Sequence, residues 1–204
     1  NHFYFNNHRM NSFMYSNFRN HAILKIWEGT TLNVIKADIW RLCILLKFGG
    51  LYIDIDSDFV GSLDEVEIGG DHLLSFESNS VDSYLVDARF PNVQKMTEVR
   101  PKIKSDFLDL DRPTLNWCMY FHPNHSFLEL CLTEIIANAS FYRGKVFENV
   151  HLAVVNFAGP GLLTATSWTY VLQGGILNHK GIDFDGQGIF KSVPKFGSYR
   201  LKRH

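Results

Sequence analysis

Apolar residues recur along this chain with two periods, one helical and one of alternation. Phe13, Phe18, Ala22, Ile26 and Trp27 fall at helical spacing and Gly29 follows, which predicts one amphipathic helix over 13–28, docked by its aromatic side. Lys36 to Phe48 is apolar on nearly every side and stops at Gly49-Gly50, so a buried helix closed by a left-handed glycine is expected there. Its charged exceptions, Asp38 and Arg41, are three residues apart and share a face. After the glycines, Leu51, Ile53 and Ile55 alternate with Tyr52, Asp54 and Asp56, a period of two that sends two carboxylates to the same side of a strand.

Further on, Ser57 and Asp58 read as a polar turn, a short segment runs through Leu63, Asp64 and Glu65, and Gly69-Gly70 marks another turn before a strand over 72–77. Residues 92–113 are charged and broken by prolines, which predicts a long loop, functional or disordered. Residues 114–121 read as a buried strand, His122-Pro123-Asn124 as a turn, and 126–139 as a helix. Residues 152–157 read as a strand that enters the Gly159-Pro160-Gly161 loop, followed by a helix over about 162–172 and a glycine-rich tail ending in short strands. Strands alternating with helices predict an α/β fold with a mixed, mostly parallel sheet flanked by helices. In such sheets ligands gather at the carboxyl ends of the strands, where Asp54 and Asp56 end one and the Gly159–Gly161 loop ends another.

Composition narrows this picture. A chain of 204 residues with 46% hydrophobic content suits a single domain over 1–204 with a real core. A net charge of -1 removes any global electrostatic case for nucleic acid. No apolar run is long enough to span a membrane. Cys43, Cys118 and Cys131 are odd in number, widely spaced and set in apolar sequence, as reduced core thiols are. Asn124-His125-Ser126 and Asn138-Ala139-Ser140 match a glycosylation pattern that also occurs by chance. The expected compartment is the cytoplasm, with or without membrane association, or the Golgi lumen for a eukaryotic chain. The opening Asn1-His2-Phe3-Tyr4-Phe5 reads like the middle of a protein, so an N-terminal truncation is expected.

Two carboxylates one residue apart at a strand end can hold a hard divalent cation that keeps positions open for phosphate oxygens. Asp109-Leu110-Asp111 and Asp183-Phe184-Asp185 repeat the spacing. The first lies in a charged, proline-flanked stretch and reads as solvated surface; the second lies among glycines and reads as a turn. Only Asp54 and Asp56 follow a buried helix, a double glycine and an alternating strand.

The set Ala37-Asp38, Arg41, Gly49-Gly50, Tyr52, Asp54 and Asp56 resembles the core of the family 32 glycosyltransferases, the sugar-transferases containing the DXD motif, whose pattern runs A-D-x-x-R and then Y/F-G-G-x-Y-x-D-x-D. Asn116-Trp117 with Phe121-His122-Pro123, and the Gly159-Pro160-Gly161 turn where the family usually has T-G-P, resemble later family segments. Together these cover most of residues 36–172. The family's opening I-P-K-x-I-H-Q-x-W segment, which holds the nucleotide base, has no counterpart here, and Ala158 stands where the family often has Thr.

This resemblance implies a nucleotide-diphosphosugar transferase fold of the A type, Mn²⁺ or Mg²⁺, and transfer of a hexose with retention from a UDP- or GDP-sugar to a glycan, glycolipid or polysaccharide acceptor. By the same resemblance Asp56 ligates the metal directly, and Asp54 contacts the donor and reaches the metal through water. Asp38 and Arg41 hold the donor sugar and its phosphate, Tyr52 lines the pocket, and Gly159 and Gly161 approach the donor. His151 and His179 are the candidates for a third metal ligand. Glu77 is the acidic residue offered for a nucleophile, the other retaining route being front-face displacement. Two other classes compete: aspartate-nucleophile phosphohydrolases, which also end a strand in D-x-D, and an inactive sugar-binding relic of the transferase fold.

Overall fold

The computed structural model describes residues 3–55, 57–59, 70–104, 108–182 and 190–192. Two helices open the chain, α1 (Asn7–Asn17) and α2 (Ala22–Gly29), where one had been expected. The break falls at Phe18, which caps α1, and at His21, whose ring accepts the Ile23 N–H as the N-cap of α2. A histidine is not among the usual caps, which is why periodicity alone runs the two helices together.

The helix α3 (Asn33–Phe48) is buried along most of its length through Ile35, Ile39, Trp40, Leu42, Cys43 and Leu45. Gly49 ends it at φ 65°, its N–H returning to the Leu45 carbonyl, while the Leu46 carbonyl takes the N–H of Asn124 at 2.7 Å. From there the chain reverses into β1 (Gly50–Ile53). This strand ends sooner than alternation predicts, and Ile55 lies beyond it, 78% exposed.

Four strands form the main sheet, in the order β1, β4 (Cys118–Phe121), β3 (His72–Phe76), β5 (His179–Ile182). Pairings β1–β4 and β3–β4 are antiparallel and β3–β5 is parallel, so the expected mostly parallel sheet is corrected to a mixed sheet with two antiparallel ladders of three. The cause is β4, which runs against its neighbours; β1, β3 and β5 all point the same way. The short strand β2 (Ser57–Phe59), expected as a turn, pairs antiparallel with β6 (Phe190–Ser192).

Two other expectations change. Residues 152–157 lie in a helix, α6 (Val150–Phe157), whose cap Asn149 accepts the Leu152 N–H. A short apolar run fits either period, and the asparagine before it was the deciding signal. The stretch 92–113 is no long loop: α4 (Pro91–Val99) begins with proline in its first turn and buries Val93, Met96 and Val99 at spacings of three. Among the remaining helices, α5 (Ser126–Tyr142) and α7 (Pro160–Leu172) match their expected positions.

One face of the sheet, through Tyr52, Leu74, Met119 and Phe121, packs on the first three helices, α5 and α7. The opposite face carries a smaller cluster of Leu73, Leu115 and Cys118 with Leu51 and Ile53. A third cluster joins α4, α6 and α7 around Trp168 and Phe76. Cys43, Cys118 and Cys131 are free and buried, as expected, and burial pushes each thiol well above its ordinary value. Among the described residues no helix is long and apolar enough to cross a membrane.

The helix-to-strand reversal gives a direct test. A Cβ on Gly49 would lie 2.7 Å from the Phe121 carbonyl and from Pro123, whereas one on Gly50 would meet nothing within 4 Å. Both have positive φ. Gly49→Ala is expected to cost about 3 kcal/mol or more, from strain plus overlap, and Gly50→Ala about 1 kcal/mol from strain alone. Urea denaturation showing equal costs would contradict this account.

Candidate active site

Because side chains alternate along β1, Tyr52 turns to the helical side and Asp54, two residues on, follows it toward α3. There it meets Asp38 and Arg41, one turn apart on α3 and both buried. Arg41 Nη2 lies 2.8 Å from Asp38 Oδ1 and 3.5 Å from Asp54 Oδ1. Its Nη1 donates to the Asn116 carbonyl at 2.6 Å. The guanidinium also sits 4.9 Å from the centre of the Tyr52 ring. Tyr52 donates its hydroxyl to Asp54 Oδ1 at 2.5 Å, and the Asp54 N–H donates to the Trp117 carbonyl at 2.8 Å. A fixed cation, two carboxylates and a phenol thus converge at the carboxyl end of β1.

Burial is the main electrostatic force here. It pushes Asp38 up to about 6; the Arg41 cation opposes the rise and the Asp54 charge reinforces it. Tyr52 is likewise held well above its ordinary value, first by burial, so it stays a donor at neutral pH. Asn116 adds a weak hydrogen bond from Nδ2 to Asp38 Oδ1 at 3.4 Å.

The fit to a divalent cation can be tested on Asp54. Its side chain is 29% exposed, and its Oδ1 takes both the Tyr52 hydroxyl and the Arg41 guanidinium. A partly exposed carboxylate anchored in this way suits a hard cation. Asp56 lies outside the described residues, as do Asp183 and Asp185. Asp109 and Asp111 pair with Arg112 and Arg100 at the surface, in keeping with the solvated reading.

Residues 2–75 match the model of the glycosyltransferase sugar-binding region containing the DXD motif. The matched stretch holds Asp38, Arg41, Tyr52, Asp54 and Asp56 in one segment. No curated protein matches the chain.

The other expected site residues lie outside the matched stretch. Glu77 follows β3 at the same end of the sheet as Asp54, with β4 between their strands; it accepts the Tyr84 hydroxyl at 2.6 Å. Gly159 and Gly161 are buried at the α6–α7 corner, which follows a helix and not a strand. A Cβ on Gly161 would lie 2.7 Å from Asn156 Oδ1, so close packing of α7 on α6 accounts for that glycine. His151 is exposed on the first turn of α6, and His179 is stacked on Phe76 at 4.2 Å in β5, three places from β1 in the sheet.

Asn116 was visible in the sequence only as part of a motif; its shorter contact, the backbone carbonyl on Arg41, leaves no side-chain signature. Asp38 supplies the prediction. Its folded value lies above its unfolded value, so folding takes up a proton between about pH 4 and about pH 6, and its contribution to stability falls as pH rises through that window. Relative to Asp38→Asn, the wild type is expected to lose about 3 kcal/mol across it, read by urea denaturation at stepped pH.

Proposed function

We propose that this protein transfers a hexose from a nucleotide-diphosphate sugar to a glycan, glycolipid or polysaccharide acceptor, in the manner of the family 32 glycosyltransferases. The observation that carries the reading is the convergence of Asp38, Arg41, Tyr52 and Asp54 at one strand end, inside the segment that matches a sugar-binding region.

In this reading Asp54 and Asp56 hold Mn²⁺ or Mg²⁺, which when bound neutralises charge on the departing diphosphate. Arg41 does its part from a fixed position. Its two terminal nitrogens are already aimed by the Asn116 carbonyl and Asp38, so no reorganisation is needed when negative charge develops nearby. Asp38 sets the guanidinium plane and offers an acceptor to a sugar hydroxyl. Tyr52 orients the Asp54 carboxylate by donating to it, an arrangement that suits a residue holding a ligand better than one attacking phosphorus. Transfer with retention, the A-type fold and the choice of donor belong to this proposal.

The reading makes definite demands. Hydrolysis of one UDP- or GDP-sugar is expected only with Mn²⁺ or Mg²⁺ present, and Asp54→Asn or Arg41→Lys should lower it about 100-fold, while Glu77→Gln separates a nucleophile from front-face displacement. If no nucleotide sugar raises the melting temperature in the presence of Mn²⁺, the donor site is refuted. Phosphatase activity on a simple ester, lost in Asp54→Asn, would transfer the chain to the phosphohydrolases.

A further inference from the structure

A second polar cluster lies at the other end of the sheet. Asp71 precedes β3, His72 begins it, and His125 is the N-cap of α5. His72 stands opposite Phe121, which stands opposite Gly50, so the cluster borders the start of β1 while Asp54 lies past its finish. His72 Nδ1 is 2.7 Å from Asp71 Oδ1 and 3.2 Å from His125 Nε2, and the latter is 3.6 Å from Asp71 Oδ2. The three groups open on a cavity of about 490 Å³ shared with Tyr170 and Asn178.

Such spacing suits a metal ion, but the outward ring nitrogens point to another use. The Asn178 N–H donates to His72 Nε2 at 2.7 Å, and the Phe127 N–H donates to His125 Nδ1 at 3.1 Å. A ring nitrogen that accepts from a backbone N–H carries no proton, so in each neutral ring the proton sits on the inward nitrogen. Metal ligation requires the reverse, a bare inward nitrogen and an outward N–H. The inward N–H of His72 instead donates to Asp71 Oδ1 at 2.7 Å, and that of His125 lies farther out, 3.6 Å from Asp71 Oδ2.

We propose that Asp71, His72 and His125 form a proton-sensitive latch that ties β5 and the first turn of α5 to β3. A second proton can enter either ring only at its outward nitrogen, where it meets a backbone N–H and breaks that hydrogen bond. At His125 the break uncaps α5. At His72 it releases the backbone N–H of Asn178, the residue whose carbonyl accepts the Leu74 N–H at the head of the β3–β5 ladder. Further along, the ladder is held by Ser75, which donates to the Lys180 and Gly181 carbonyls.

The surroundings favour opening in acid. His125 faces Asp71, His72, His122 and Tyr170; burial and the other histidines lower its affinity for a proton, and Asp71 opposes them. His72 faces Asp71 and His125, with Phe121 stacked on it and His179 across β5. The His179 ring is stacked on Phe76 with both its nitrogens buried, and this burial, with His72 nearby, holds it down to about 3, so lifting β5 into water lets a further proton bind. A histidine whose folded value lies below its unfolded value costs nothing above the unfolded value near 6.5, and its penalty grows as pH falls below it.

The test is hydrogen exchange of the whole chain, corrected for the intrinsic pH dependence. Between pH 7.5 and about pH 6.5, protection of 178–182 and of the first turn of α5 is expected to stay nearly level, and from there to pH 5.5 to fall by up to about tenfold for each coupled proton, with α4 unchanged. In His125→Asn, which keeps a capping acceptor but cannot titrate, the α5 response should vanish. ¹⁵N spectra of the unmodified protein at pH 7.5 should show bare His72 Nε2 and His125 Nδ1. Protonated outward nitrogens, pH-independent protection, or a Zn²⁺-induced rise in melting temperature that His125→Asn abolishes would overturn the proposal, the last in favour of a metal centre.

Discussion

A single buried cation organises the site. Arg41 is almost wholly removed from water, and a charge so placed costs several kcal/mol unless oxygens replace its hydration. Asp38 supplies one from the same helix, Asp54 faces it from just past the strand after the glycine turn, and the Asn116 carbonyl supplies a third from the segment that enters the neighbouring strand β4. Each demand fixes something larger. The first sets which face of α3 looks at the sheet, the second sets the register of β1, and the third sets where the chain crosses before β4. The ring of Tyr52 closes the remaining side.

The parts of this arrangement that follow local rules are legible in the sequence. Spacing of three placed Asp38 with Arg41, alternation placed Tyr52 with Asp54, and the two glycines marked the reversal between them. What periodicity does not carry is the direction of a neighbouring strand. Nothing in residues 118–121 says that they run against β1 and β3, so the sheet reads as parallel until its pairing is seen. Short apolar runs fail for a related reason: residues 152–157 satisfy both periods, and only the Asn149 cap separates them. The histidine caps at His21 and His125 escape the usual rules because the acceptor is a ring nitrogen.

The two ends of the sheet therefore carry opposite chemistry. Where β1 finishes, a permanent cation is held among carboxylates, and its charge does not change over any ordinary pH. Where β3 begins, two imidazole rings share one exposed carboxylate, Asp71, and burial disfavours a charge on His125. The antiparallel β4 links the two, since its Cys118 end borders Ile53 and its Phe121 end borders His72.

The Arg41–Asn116 bond spans 75 positions of the chain, while Asp38 lies on the same helix as Arg41 and Asp54 just past the next strand. During folding, α3 and β1 can assemble early as a local pair, yet the guanidinium keeps an unanswered N–H until the distant crossing segment docks. The last and most non-local contact is thus the one that completes the pocket. Competence to bind a donor should rise with global cooperativity and not with local helix content, so a partly folded chain presents the motif without the site.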